Sequence, residues 1–183
     1  MKKETNDANN AETRVLIVYY SHSGNTRELA NRIHKRVGGD IVEIQPVDSY
    51  PDDYETVTKQ AKRELQSGYK PALKTRIKNI GSYDVVFVGS PNWWNTIAPP
   101  VITFLTTYDL SGKTAAPFIT HGGGGLGRAV ADIAALCPNS TISDGLAVWG
   151  GEAKAEQNKI SEWLHKLGLE DSRPQRGLER ITA

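Results

Sequence analysis

A single cysteine, Cys137, stands among 183 residues, which excludes an internal disulfide framework and any multi-cysteine metal site. That usage fits a reducing compartment, and the cytoplasm is the expected location. No apolar run approaches the ~20 residues that a membrane-spanning helix needs. Charge of one sign is lacking too. The 22 basic and 21 acidic side chains give a formal net charge of +1, with no basic excess for nucleic acid. Residues 1–13 contain Lys2 and Lys3 but no apolar core, so they read as a polar tail and not as a signal peptide. Residues 169–183 read as a second polar tail, although Leu178 and Ile181 could dock. Residues 14–168 are expected to form one domain.

What the chain does have is an abrupt change near residue 20. Val15-Leu16-Ile17-Val18-Tyr19 is apolar, Ser21-His22-Ser23-Gly24-Asn25-Thr26 is rich in hydroxyls, and Leu29, Ala30, Ile33 and Val37 recur at helical spacing. The pattern is strand, loop and helix, with the loop at the strand's carboxyl end. The first turn of a helix leaves backbone N–H groups without partners, and the macrodipole adds roughly half a positive charge there. Ser21, Ser23, Asn25 and Thr26 add side-chain donors, and Gly24 lets the backbone curl without a Cβ clash. The segment therefore predicts an anion cup suited to phosphate. An N-cap alone needs one such residue, and this loop exceeds that need.

Further strands are expected over 41–44, 85–89, 115–120 and 142–148, with helices over 54–66, from Pro99-Pro100 onward, over 126–136 and over 153–167. Strands alternating with helices pair in parallel through right-handed crossovers. The fold class is α/β, a three-layer α/β/α sandwich on a five-stranded parallel sheet. Ligands of such sheets bind beyond the strands' carboxyl ends, where the strand order reverses. Two more loops stand there. Ser90-Pro91-Asn92-Trp93-Trp94-Asn95-Thr96 offers flat aromatic rings, and His121-Gly122-Gly123-Gly124-Gly125-Leu126-Gly127 offers bare backbone.

Ser-His-Ser-Gly-Asn-Thr at 21–26 resembles the flavodoxin phosphate loop. Pro91-Asn92-Trp93-Trp94, followed by Pro99-Pro100-Val101 and Thr103-Phe104-Leu105, resembles the ring-binding loop and next helix of a short bacterial flavodoxin-like branch. Tyr50-Pro51 with Tyr54, and the glycine-rich loop, are similar to that branch as well. The likeness runs from about Arg14 to Leu167. It implies the strand order 2-1-3-4-5 and non-covalent FMN at the switch point between the first and third strands. By the same resemblance Ser21, Ser23, Asn25 and Thr26 hold the FMN phosphate, with backbone help from His22 and Gly24. Pro91, Asn92, Trp93, Trp94 and Asn95 would flank the isoalloxazine, with Trp93 stacked on it. His121, Gly122, Gly123, Gly124 and Gly125 would wall the other side. Three departures stand out. Asn95 replaces a frequent glycine, and Arg27 replaces a frequent glutamate. The near-neutral charge contrasts with strongly acidic flavodoxins, whose surface docks basic partners.

Read alone, the residues leave alternatives open. One of Trp93 and Trp94 packs inward and the other faces the ligand. The glycines serve close backbone approach or flexible linkage. His22 and His121 touch cofactor or are solvated, and Tyr50 and Tyr54 cover the site or staple a helix start. Arg128 stands where it could offset negative charge on a reduced cofactor. Three functions follow. The first is an FMN electron carrier with a redox partner protein. The second is an FMN-dependent NAD(P)H oxidoreductase acting on quinones or other small acceptors. The third is a non-redox module holding another nucleotide phosphate. No residue is singled out as catalytic or as a metal ligand.

Overall fold

The structure, a computed structural model, describes residues 12–169. The expected tails lie almost wholly outside these residues, as do Leu178 and Ile181. β2 (Asp40–Glu43), β1 (Val15–Tyr19), β3 (Val85–Trp93) and β5 (Thr114–His121) lie side by side in parallel. Beside β5, two short parallel strands share the outer position, β6 (Thr141–Ile142) and β7 (Leu146–Trp149). β4 (Thr96–Ile97) folds back antiparallel on the end of β3.

The sheet thus has seven strands where five are expected, but its core order is the expected one. β4 is a hairpin return, and β6 and β7 together fill one position. The expected strand over 142–148 breaks at Ser143-Asp144-Gly145. There the Asp144 carbonyl accepts from the Trp163 indole N–H at 2.8 Å. A Cβ on Gly145 would stand 2.8 Å from Val130. The backbone between β6 and β7 is thus tied to a helix, and the space that a side chain at 145 would need is filled by Val130 and Leu126.

β1 is buried along its whole length, and its residues alternate between the two faces as strand geometry dictates. Leu16, Val18 and Tyr20 join the cluster that includes residues of α2 (Tyr54–Ser67), α3 (Pro99–Thr107) and α4 (Ala129–Leu136). Val15, Ile17 and Tyr19 join the one with α1 (Asn25–Val37) and α5 (Gln157–Lys166). The helices cover both faces, which gives the three layers. α2 is started by Asp53, whose carboxylate accepts from the Thr56 N–H at 2.8 Å. Tyr50 donates from its hydroxyl to Glu64 of α2. It is buried in the core. α4 starts later than expected because Gly127, at φ +51, turns the chain. α5 starts later because a turn precedes it, with the Glu152 carbonyl accepting from Ala155 at 2.8 Å. Among the described residues no helix is long and apolar enough to cross a membrane.

Three buried phenols make this fold sensitive to alkali. Tyr50 donates to Glu64 at 2.5 Å and Tyr19 to Glu43 at 3.3 Å. Burial, then the nearby carboxylates, raises Tyr19 from 10.0 to about 12 and pushes Tyr20 and Tyr50 up as well. The unfolded chain releases these protons near pH 10 while the folded chain keeps them. Stability is then full below about pH 10 and falls as pH rises toward the folded values. Urea midpoints are expected to drop between pH 9 and pH 11, and Tyr50→Phe should shallow the drop. A flat profile through pH 11 would contradict this account.

Candidate functional site

At the carboxyl ends of β1 and β3 the chain departs in opposite directions across the sheet, which makes this the switch point. A cavity of about 560 Å³ opens there.

One end is formed by the loop after β1. Ser21 is buried, and its Oγ accepts from the N–H of Gly24 at 3.1 Å and of Arg27 at 3.2 Å. It braces the loop from within. Gly24, at φ +94, holds the N-cap position of α1 and brings no side chain to cap it. Among the described residues no acceptor meets the N–H groups of Asn25 and Thr26. His22, Ser23 and Asn25 line the cavity. Behind them the buried Thr26 hydroxyl lies 2.8 Å from that of Thr120, which also lines it. Arg27 is committed elsewhere, with Nε and Nη2 on Glu43 at 2.9 and 2.6 Å. No Asp, Glu, Lys or Arg lines the cavity. Uncapped helix donors with Ser23 and Asn25 beside them fit a phosphate group.

The aromatic wall is a hairpin, not the expected loop. β3 continues to Trp93, and Trp94-Asn95 turn the chain into β4, with φ of 51° and 70°. Positive φ at both central residues is the type I′ geometry, which matches strand twist. Asparagine tolerates that region, so Asn95 replaces a glycine without losing the turn. For bulky Trp94 the conformation costs about 1–3 kcal/mol. Trp94 is fixed by its indole N–H on the Thr58 carbonyl at 2.9 Å and by the Lys62 ammonium 4.7 Å from its ring centre. Trp93 points the other way. It is half-buried, with Tyr20, Tyr50 and His22 at ring distances of 5.6, 5.0 and 5.7 Å. Both indoles line the cavity.

On the third side, His121 Nδ1 accepts from the Gly123 N–H at 3.1 Å, which leaves the proton of the neutral ring on Nε2. Gly122 lines the cavity, whereas Gly123, Gly124 and Gly125 do not. The close approach that these glycines permit is to the hairpin. Asn92 Nδ2 donates to the Gly125 carbonyl at 2.9 Å. A Cβ on Gly127 would stand 2.5 Å from the Asn95 carbonyl oxygen. Ser21, Gly24, Thr26 and Asn95 likewise support the wall from behind.

Tyr54, one of the two tyrosines offered as a cover, lines the cavity, but sequence reasoning missed two further parts of the wall. Val57, Thr58 and Ala61 of α2 close one side with it, and Trp149, which ends β7, closes another with Gly150. Tyr54 is 82% exposed and Trp149 48%, both at the rim. The strand-end rule that singled out the other loops applies equally to Trp149. Arg128 does not line this cavity. It lines a neighbouring groove.

The flavodoxin family model matches residues 14–167. No curated protein matches the chain. Among solved structures, a proposed flavoprotein of Bacteroides eggerthii is 29% identical, with a TM-score of 0.76 over 86% of this chain and 99% of its own. A second, of Bacteroides uniformis, is also 29% identical, with a TM-score of 0.71 over 81% and 97%. A Lactobacillus acidophilus flavoprotein in complex with FMN is 24% identical, with a TM-score of 0.64 over 81% and 99%, which shows the shared fold.

Proposed function

This chain belongs to the flavodoxin family, and we propose that it is a redox protein that transfers electrons through non-covalently bound FMN. One observation carries the reading. A cavity of about 560 Å³, with no Asp, Glu, Lys or Arg in its lining, lies between an uncapped helix start and indoles delivered by the β3–β4 hairpin and the end of β7. A phosphate at one end and a flat ring at the other satisfy both features. FMN supplies reversible one- and two-electron chemistry, and the protein supplies binding, orientation and access. In this reading the Asn25 and Thr26 amides with Ser23 and Asn25 hold the phosphate. Trp93, braced by Tyr20 and Tyr50, is the fixed wall for the ring, and Trp94 and Trp149 form its rim. His121, held through Nδ1, presents an Nε2–H donor.

Reconstitution tests this. The full chain is expected to bind one FMN, to be reduced anaerobically by dithionite, and to pass its electrons on to an added one-electron acceptor. Failure to bind FMN, with retention of another nucleotide phosphate, would favour the non-redox alternative.

A further inference from the structure

Trp94 borders a second hollow. Between α2, α3 and α4 lies a groove of about 470 Å³, walled by Lys62, Leu65, Ile102, Arg128, Asp132 and Leu136 as well as by this indole. Trp94 also lines the cavity described above, so the two hollows adjoin across one ring. Their chemistry differs. The cavity has no Asp, Glu, Lys or Arg in its lining, whereas the groove has Lys62, Arg128 and Asp132 above partly buried aliphatic side chains.

Neither cation is held in a close salt bridge. Lys62 rests 4.7 Å from the Trp94 ring centre, and Arg128 reaches Asp132 at 3.8 Å with its side chain 66% exposed. An ion pair as long and exposed as Arg128–Asp132 contributes little, so its exchange for a phosphate is cheap. Asp132 is itself held by the Thr96 hydroxyl. The volume lies within the range of small-molecule sites. A ligand fitting all this has a flat ring for the aliphatic floor, phosphate for the cations, and a reach past Trp94 into the cavity.

We infer that the groove binds the adenosine diphosphate half of a nicotinamide dinucleotide, with the nicotinamide end directed past Trp94 into the FMN cavity. This rests on the FMN reading and names the electron donor. In that arrangement the C4–H bond of dihydronicotinamide would break, its hydride would form an N–H bond on the flavin ring with both electrons, and the oxidised nicotinamide cation would leave.

The test uses the full chain loaded with FMN, with ADP-ribose and 2′-phospho-ADP-ribose as probes in calorimetry. At least one is expected to bind. In Arg128→Glu its dissociation constant should rise by about tenfold or more, with FMN affinity unchanged, because Arg128 does not line the FMN cavity. The charge-conserving Arg128→Lys should restore binding. Stopped-flow reduction by NADH or NADPH should shift its half-saturating concentration by the same factor, with the limiting rate kept. No binding of either probe, or equal binding in the charge-reversed variant, overturns the inference. If FMN itself does not bind, or dithionite does not reduce it, the FMN reading falls. If both hold and the probes fail, only the groove falls.

Discussion

Ser23→Asp is expected to raise the FMN dissociation constant by a hundredfold or more while leaving the apo-protein as stable as the wild type, or slightly more so. Ser23 is exposed, lines the cavity and sits one residue before Gly24, which holds the N-cap position of α1. In the apo-protein a carboxylate there meets the unpaired amides of Asn25 and Thr26 and the positive end of the helix, which is worth about 0.3–1 kcal/mol. With phosphate in the cup the same carboxylate faces a like charge. Two unit charges about 5 Å apart at an effective dielectric near 20 repel by about 3 kcal/mol, which exceeds a hundredfold in affinity. The two effects have opposite signs, so a merely damaged fold cannot imitate them. Fluorescence titration of FMN and a melt of the apo-protein read both. Unchanged FMN affinity would remove the phosphate cup from the site. Thr26→Ala is a poorer probe, because it leaves the buried Thr120 hydroxyl without its partner at 2.8 Å.

The phosphate cup is legible in the sequence because its donors are contiguous and follow an unmistakable strand. What is not legible is the division of labour within it. Ser21 and Ser23 are the same residue type two positions apart, yet one braces the loop and the other faces the cavity. The hairpin escapes sequence reading for a physical reason. Its turn residues are Trp94 and Asn95, and a tryptophan at positive φ is the opposite of a turn signal. Long-range fixation by Thr58 and Lys62 overrides the local preference. The same pattern explains the missing α2 wall. Val57 and Ala61 repeat at a core-like spacing, and they are buried, but one edge of that stripe borders the cavity. The glycines after β5 invite the reading of close approach, and the approach is real. What approaches Gly124 is the Asn92 amide, 3.0 Å from where a Cβ would stand.

Gly89→Ala is expected to destabilise the fold by about 3 kcal/mol or more, the upper end for an overpacked core. Gly89 lies in the middle strand of three, paired with Tyr19 on one side and Phe118 on the other. Its backbone is not in the left-handed region, so conformation is not the reason for glycine. Space is. A Cβ there would stand 2.2 Å from the Phe118 ring and 2.7 Å from the Tyr19 Cβ. Phe118 is fully buried and Tyr19 nearly so, in an interior packed without room to yield. The cost reaches the site, because the next residue, Ser90, accepts from the Ala98 N–H at 2.9 Å and so ties the end of β3 to the start of α3. Phe118→Leu alone leaves a cavity and is destabilising, yet it vacates the volume that the new methyl needs. The double variant should therefore cost less than the sum of the two singles, by about 1 kcal/mol or more. Urea midpoints for the four proteins measure this. Additive losses would mean that the Phe118 ring is not what keeps residue 89 a glycine.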